Sequence, residues 1–183
     1  MDDADLIKRL QLRQEGAYRE LVEQYQAMLF NTCFGFLHNT EEAEDVAQEV
    51  FIKVFKVIDT FRGEAKLSTW LYRIALNMSL NKIRARKSKL FVALDSIFDG
   101  SYKMEPHSFT PYDSLENKEK ANVLHKALDK LPGNQKIAFV LSKYRGLPYI
   151  EIAEVMGVTV SSVEALLHRA KKNLQKDLIK YYK

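Results

Sequence analysis

Residues 61–89 read FRGEAKLSTWLYRIALNMSLNKIRARKSK, and the character of this stretch changes along its length. Phe61-Arg62-Gly63-Glu64 is a turn in which Gly63 supplies permissive backbone. Ser68 stands where an N-cap would, ahead of Thr69-Trp70-Leu71. Leu67, Leu71, Ile74, Met78 and Ile83 then recur at near-helical spacing and form an apolar face for a core. Trp70, Tyr72, Arg73, Asn77 and Asn81 fall mostly off that face, and the stretch ends in Lys82, Arg84, Arg86, Lys87 and Lys89 with no acid among them. Aromatic rings, amides and cations on one helix can hold unstacked bases and track phosphates. A buried tryptophan, a tyrosine rim and a solvated basic helix end would use the same residues and suit the helix dipole. The stretch alone leaves both readings open.

The segment before it carries the opposite charge. Asn39-Thr40 followed by Glu41-Glu42 is a helix start, a capping side chain and then acids against the positive end of the dipole. In the helix that follows, Ala43, Val46, Ala47, Val50, Val54 and Ile58 make one apolar stripe, and Glu41, Glu44, Asp45, Gln48 and Glu49 make an acidic face. The acids persist past the first turn, beyond the reach of the dipole, so the face suits a basic partner as well as plain solvation. The chain as a whole has a net charge of +4, yet residues 61–90 carry about +7 and residues 41–60 about −4. Two neighbouring segments of opposite sign imply two different partner surfaces.

Further upstream, residues 2–15 read as a short helix with Leu6, Ile7, Leu10 and, at its end, Leu12 as apolar contacts, broken by Gly16. A second helix from Ala17 to about His38 buries Leu21, Tyr25, Met28, Leu29, Thr32 and Phe36. With only 7 Gly and 4 Pro in 183 residues and few alternating β-branched runs, helix is favoured throughout. The single cysteine, Cys33, lies among Phe30, Phe34 and Phe36 and reads as a small buried hydrophobe, which excludes an internal disulfide framework and fits a reducing cytoplasm. The acidic start MDDADLIKRLQ is wrong for a signal peptide, and no apolar run approaches the roughly 20 residues that span a bilayer, so no membrane insertion is expected.

Downstream, the period fails between about Ser88 and Asn117, where Asp-Gly, Pro and Ser mix with scattered aromatics. This reads as a linker, either gripping a partner surface or a disordered tether. From Lys118 the helical pattern resumes: Val123, Leu124, Ala127, Leu128 and Leu131, a stop at Pro132-Gly133, then Ile137, Ala138, Val140, Leu141 and Tyr144. The segment GLPYIEIAEVMGVTVSSVEALLHRAKKNL has the sequence form of a helix-turn-helix. Pro148 can sit in a first turn, Gly157 supplies a left-handed stop, and Ser161 and Glu164 have capping-box spacing. Val163, Leu167, Ala170 and Leu174 face inward; Thr159, Ser162, Glu164, Ala165, His168, Arg169, Lys171 and Lys172 face outward or flank that face. A plain helical hairpin remains the alternative. The expected architecture is all-α: two small helical domains, 1–89 and 118–183, joined by a flexible linker over 90–117.

With both domains in view, the chain resembles the sigma-70 family of RNA polymerase sigma factors, in its extracytoplasmic-function (ECF) group. The strings that carry the resemblance are Asp45-Val46-Ala47-Gln48-Glu49-Val50-Phe51, Phe61-Arg62-Gly63-Glu64, Ser68 to Ala75, and Asn77, in order and spacing. Residues of about 17–87 look like sigma region 2, and about 118–178 like sigma region 4. The resemblance implies a promoter-specificity subunit with no catalysis and no cofactor of its own. Its partners would be core RNA polymerase, promoter DNA and an anti-sigma factor. It implies that Asp45, Gln48, Glu49 and Phe51 meet polymerase. Around an extruded base of the −10 element it places Phe61, Trp70, Tyr72 and Asn77, with Lys53, Arg73, Asn81, Lys82, Arg84 and Arg86 on backbone and duplex edge. On the −35 element it places Thr159, Ser161, Ser162, Glu164, Ala165, His168, Arg169, Lys171 and Lys172. Many relatives have a Lys/Arg-Ser-Arg-like string where this chain has Glu164-Ala165-Leu166, which leaves the −35 base contacts open.

Two other classes are weaker. A stand-alone DNA-binding regulator leaves the acidic and tryptophan-bearing helices without a role. An enzyme finds no P-loop, HExxH, Cys/His metal spacing or glycine-rich fingerprint, and His38, His107, His125 and His168 are scattered, each reading as structural or surface.

Overall fold

A computed structural model describes residues 3–97 and 115–181, with the side chains of 3–86 and 119–181, and every described element is a helix. In the N-terminal domain α1 (Asp3–Gln11), α2 (Ala17–Leu37), α3 (Thr40–Val57), a 3-10 turn (Ile58–Thr60) and α4 (Leu67–Ile97) follow one another. The C-terminal domain is α5 (Leu115–Asp129), α6 (Gly133–Lys143), α7 (Tyr149–Met156) and α8 (Val160–Leu178), closed by a 3-10 turn at Ile179–Tyr181. Helix extends into both ends of the stretch expected as a tether, at 90–97 and 115–117, because no Gly or Pro interrupts either end. The middle of that expected linker, residues 98–114, lies outside the described residues, as does His107.

The N-terminal domain is built around α2, which packs on α3 and α4. Asn39 caps α3 as its position implies, its Oδ1 accepting from the Glu42 amide at 2.7 Å. Ala43, Val46, Ala47, Val50, Val54 and Ile58 are all buried, together with Leu21 and Leu29 of α2 and Leu67 and Leu71 of α4. Cys33 is fully buried, and that burial pushes its thiol up to about 11, so it is inert filling rather than a nucleophile. The amide of Gln11 ties α1 down by donating to the carbonyls of Ile58 and Phe61. This fixes the turn that delivers Phe61. α4 opens at Leu67, one residue ahead of Ser68, so Ser68 lies inside the first turn and is not its cap.

In the C-terminal domain the helix-turn-helix is present, with one correction to its capping. Gly157 ends α7 at φ 66°, the left-handed conformation expected of it. The cap of α8 is Thr159, whose Oγ1 accepts from the Ser162 amide at 3.2 Å. Since the helix begins at Val160, Ser161 lies within its first turn and Glu164 falls too late for a capping box.

The two domains pack directly on each other. Phe36, Tyr72 and Leu76 of the first are buried in one cluster with Ile137, Val140, Leu141, Ile152 and Val155 of the second. Gly35 makes the approach possible: a Cβ there would lie 2.7 Å from Cγ1 of Val140. Lys136, only 6% exposed, donates through Nζ to the Phe36 carbonyl at 3.1 Å and pairs with Asp129 at 2.6 Å. A cation thereby satisfies an orphan carbonyl at the negative end of α2.

Candidate nucleic-acid and polymerase interfaces

On α4, Trp70, Arg73, Asn77, Asn81 and Arg84 follow at intervals of three or four residues and so form one stripe. Arg73, Asn77, Asn81 and Arg84 are exposed and Trp70 is half-buried. The Trp70 ring lies 5.1 Å from that of Phe61, tilted 53°, so the turn residue packs behind the tryptophan. Phe61 itself is only 7% exposed and acts as backing for the tryptophan rather than as an open platform. Arg84 donates to Asn81 at 3.1 Å, which orients the far end of the stripe. Lys82 is half-buried beside it, and Arg86 pairs with Glu42 of α3 at 3.3 Å. Lys53, on α3, is exposed. The stripe runs about 21 Å along the helix, close to the span of about six nucleotides of stacked strand.

Tyr72 departs from the expected arrangement. It is 5% exposed, lies off the stripe and is buried in the seam between the domains, where its hydroxyl accepts from Arg145 Nε at 3.4 Å. Residue 72 is two positions from Trp70, a turn of about 200° on a helix, so the two rings cannot share one face. Arg73 is also engaged at the seam: its Nη2 donates to the Glu154 carbonyl at 2.6 Å and its Nε to Val155 at 3.4 Å. Lys66 pairs with Glu151 at 2.9 Å, which raises the lysine's pKa. Asn77 and Arg73 line a cleft with Asn134, Val155 and Met156 of the second domain. The C-terminal end of α7 thus abuts the α4 stripe at Arg73 and Asn77, which stay exposed.

On α3, Asp45, Gln48 and Glu49 are exposed, whereas Phe51 is 7% exposed with its ring edge-on to Tyr18 at 6.5 Å. Beside this acidic face α2 and α3 leave an open groove of about 500 Å³ with Val22, Ala27, Phe30, Ala47 and Phe51 in its walls and Glu44 and Gln48 on its rim. An apolar trough with an acidic rim accepts an amphipathic basic helix. Phe30 and Val22 escaped the sequence reading because the groove exists only once α2 crosses α3.

On α8, Ser161, Ser162, Glu164, His168, Arg169, Lys171 and Lys172 are exposed, Ala165 is half-buried, and Thr159 caps the helix from an exposed position. Val163, Ala170 and Leu174 anchor the opposite side in the core. The basic face of this helix stays open while α7 abuts α4. Arg145, Glu151 and Lys136 had no signal in sequence, because each partners a residue more than 70 positions away.

Residues 21–89 match the family described as Sigma-70 region 2, and residues 121–174 that described as Sigma-70, region 4. The chain is 33% identical over 178 residues to the ECF RNA polymerase sigma factor SigW of Bacillus subtilis, with 94% of each chain covered. It is 33% identical over 181 residues to the RNA polymerase sigma-H factor of Pseudomonas aeruginosa, covering 96% of this chain and 93% of the relative. Two solved structures share its fold. CnrH in complex with the cytosolic domain of CnrY superposes with a TM-score of 0.69 at 22% identity, covering 96% of both chains. The sigma factor RpoE in complex with the anti-sigma factor NepR from Bartonella quintana superposes with a TM-score of 0.64 at 24% identity, covering 88% of this chain and 96% of the other. With both regions matched in order and near full-length similarity to such relatives, the chain belongs to the sigma-70 family of RNA polymerase sigma factors, in its ECF group.

Proposed function

We propose that the protein fastens to core RNA polymerase through the acidic face of α3, lays the α4 stripe along one strand of a −10 element and sets α8 in the −35 major groove. The observation that carries this reading is the exposed row Arg73, Asn77, Asn81 and Arg84 continuing the line of Trp70. Amides and cations at one-turn intervals contact base edges and phosphates, and a ring at the end of the row captures a base turned out of the stack. Such stacking contributes about 1–3 kcal/mol per base, comparable to the cost of unstacking one step. Asp45 and Glu49 supply acidic contacts, Gln48 an amide one and the neighbouring groove apolar ones, while Arg169, Lys171 and Lys172 neutralise duplex phosphates. Catalysis stays with the polymerase.

Domain separation belongs to this function. The −10 and −35 elements lie about 25 base pairs apart, about 85 Å of duplex. A compact chain of this length has a radius of gyration of only about 16 Å. The packed arrangement, with α7 over Arg73, therefore precedes promoter engagement, and binding draws the domains apart. A partner that keeps them together, such as an anti-sigma factor, would hold the protein inactive. Gel filtration of the purified chain with core polymerase at low salt tests the docking step. Co-elution is expected, reduced by the charge reversal Asp45→Lys with Glu49→Lys; failure of the unaltered chain to co-elute would overturn the proposal.

A further inference from the structure

His38 ends α2 in the left-handed conformation, at φ 54°, and projects into the seam between the domains. Its ring stacks on that of His125 of α5, with centroids 4.0 Å apart and planes 11° from parallel. Neither ring nitrogen of His38 has a hydrogen-bond partner among the described residues, although both are buried. Two neutral imidazoles stack at this distance; two imidazolium ions in the same half-buried place would repel. The other charged groups around the pair add to this. Lys136 of α6 and Arg86 of α4 disfavour a charge on His38, and among the described residues Asp129 of α5 opposes them at both rings. Tyr144, at the C-cap of α6, contributes a tilted ring at 6.5 Å.

We propose that the His38–His125 stack is a proton-sensitive latch, holding the two domains together when both rings are neutral and releasing them when either takes up a proton. The surroundings agree: burial first, then His125 and Lys136, hold His38 down to about 3, and burial lowers His125 as well. The sign follows. A histidine depressed in the closed form and ordinary, at about 6.5, in the open form leaves closure at full strength above that value. Closure weakens progressively as pH falls below 6.5. At pH 5.5 the ratio of open to closed molecules rises about tenfold for one such histidine, and more when the second is released with it. The latch is a property of the free chain, so it can fail without touching promoter binding, and promoter binding can fail without touching the latch.

Small-angle scattering of the full-length chain between pH 7.5 and 5.5, with helix content followed by circular dichroism, tests this. The expected result is a radius of gyration that grows below pH 6.5 at constant helicity. The growth should be suppressed in His38→Asn with His125→Gln, a pair that keeps a residue suited to the left-handed site and removes both titrations. An unchanged radius, growth only with loss of helix, or the same growth in the double variant would overturn the latch. Ring proton resonances of the unaltered chain give an independent reading that needs no variant. His38 titrating well below 6.5 supports the latch, and His38 titrating at the ordinary value contradicts it.

Discussion

Arg73 Nη2 donates to the backbone carbonyl of Glu154 at 2.6 Å, so a cation of the α4 stripe sits on the carboxyl end of α7. A helix C-terminus carries partial negative charge, and at the other end of α7 Glu151, in its first turn, sets a full one opposite Lys66. The second domain thus offers α4 the sign of charge that a phosphate backbone would. Replacing Glu151→Ala should raise the affinity of the free chain for single-stranded DNA by up to about fivefold at low salt, the range of one exposed ion pair. Fluorescence anisotropy with a labelled oligonucleotide reads the change, and a lower affinity would contradict the competition.

Gly35→Ala separates seam from domain. Alanine is favoured over glycine in a helix interior by about 0.5–1 kcal/mol, so the N-terminal domain should not lose stability from the change itself. The new Cβ would meet Val140 Cγ1 at 2.7 Å, and Val140 is fully buried and stiff at χ1. The expected outcome is a larger radius of gyration at neutral pH with helix content kept. A variant as compact as the unaltered chain would show that the seam adjusts at no cost.

Asn77→Ala should impair strand opening while leaving polymerase binding intact, because Asn77 is exposed and its loss opens no cavity. Trp70→Ala should act in the same direction and more strongly, by about 5- to 150-fold if one stacked base is lost, with some loss of stability since the ring also packs on the core. Permanganate reactivity of promoter thymines measures opening. Unaltered reactivity in both variants would remove the −10 assignment.

Arg169→Ala should weaken binding to a −35 duplex and lower the slope of log affinity against log salt by about one, the mark of a single lost phosphate contact. Titrations at several salt concentrations decide it. An unchanged slope and affinity would leave the open face of α8 without that role.

Much of this architecture could be read along the chain because it is local. Asn39 caps α3, Gly157 stops α7, and the stripe from Ala43 to Ile58 is buried as its spacing requires. Capping at α8 was displaced from Ser161 to Thr159 because several hydroxyls in a row can each serve, and only the backbone path selects one. Tyr72, expected beside the extruded base, lies in the seam of this packed arrangement, since a tyrosine beside a tryptophan carries no mark of which domain will cover it. His38 and His125 looked scattered because 86 residues separate them, and only the packing of α5 on the end of α2 brings their rings together. Contacts between domains depend on surface shape, and helical periodicity does not encode it.

Run-off transcription on genomic fragments by purified core polymerase, with and without this protein, tests the central claim most directly. The expected result is a discrete set of transcripts that appears only when the protein is added, starting downstream of shared −35 and −10 sequences and lost in Trp70→Ala. Transcript profiles identical with and without the protein, under low salt and with no inhibitor present, would contradict it.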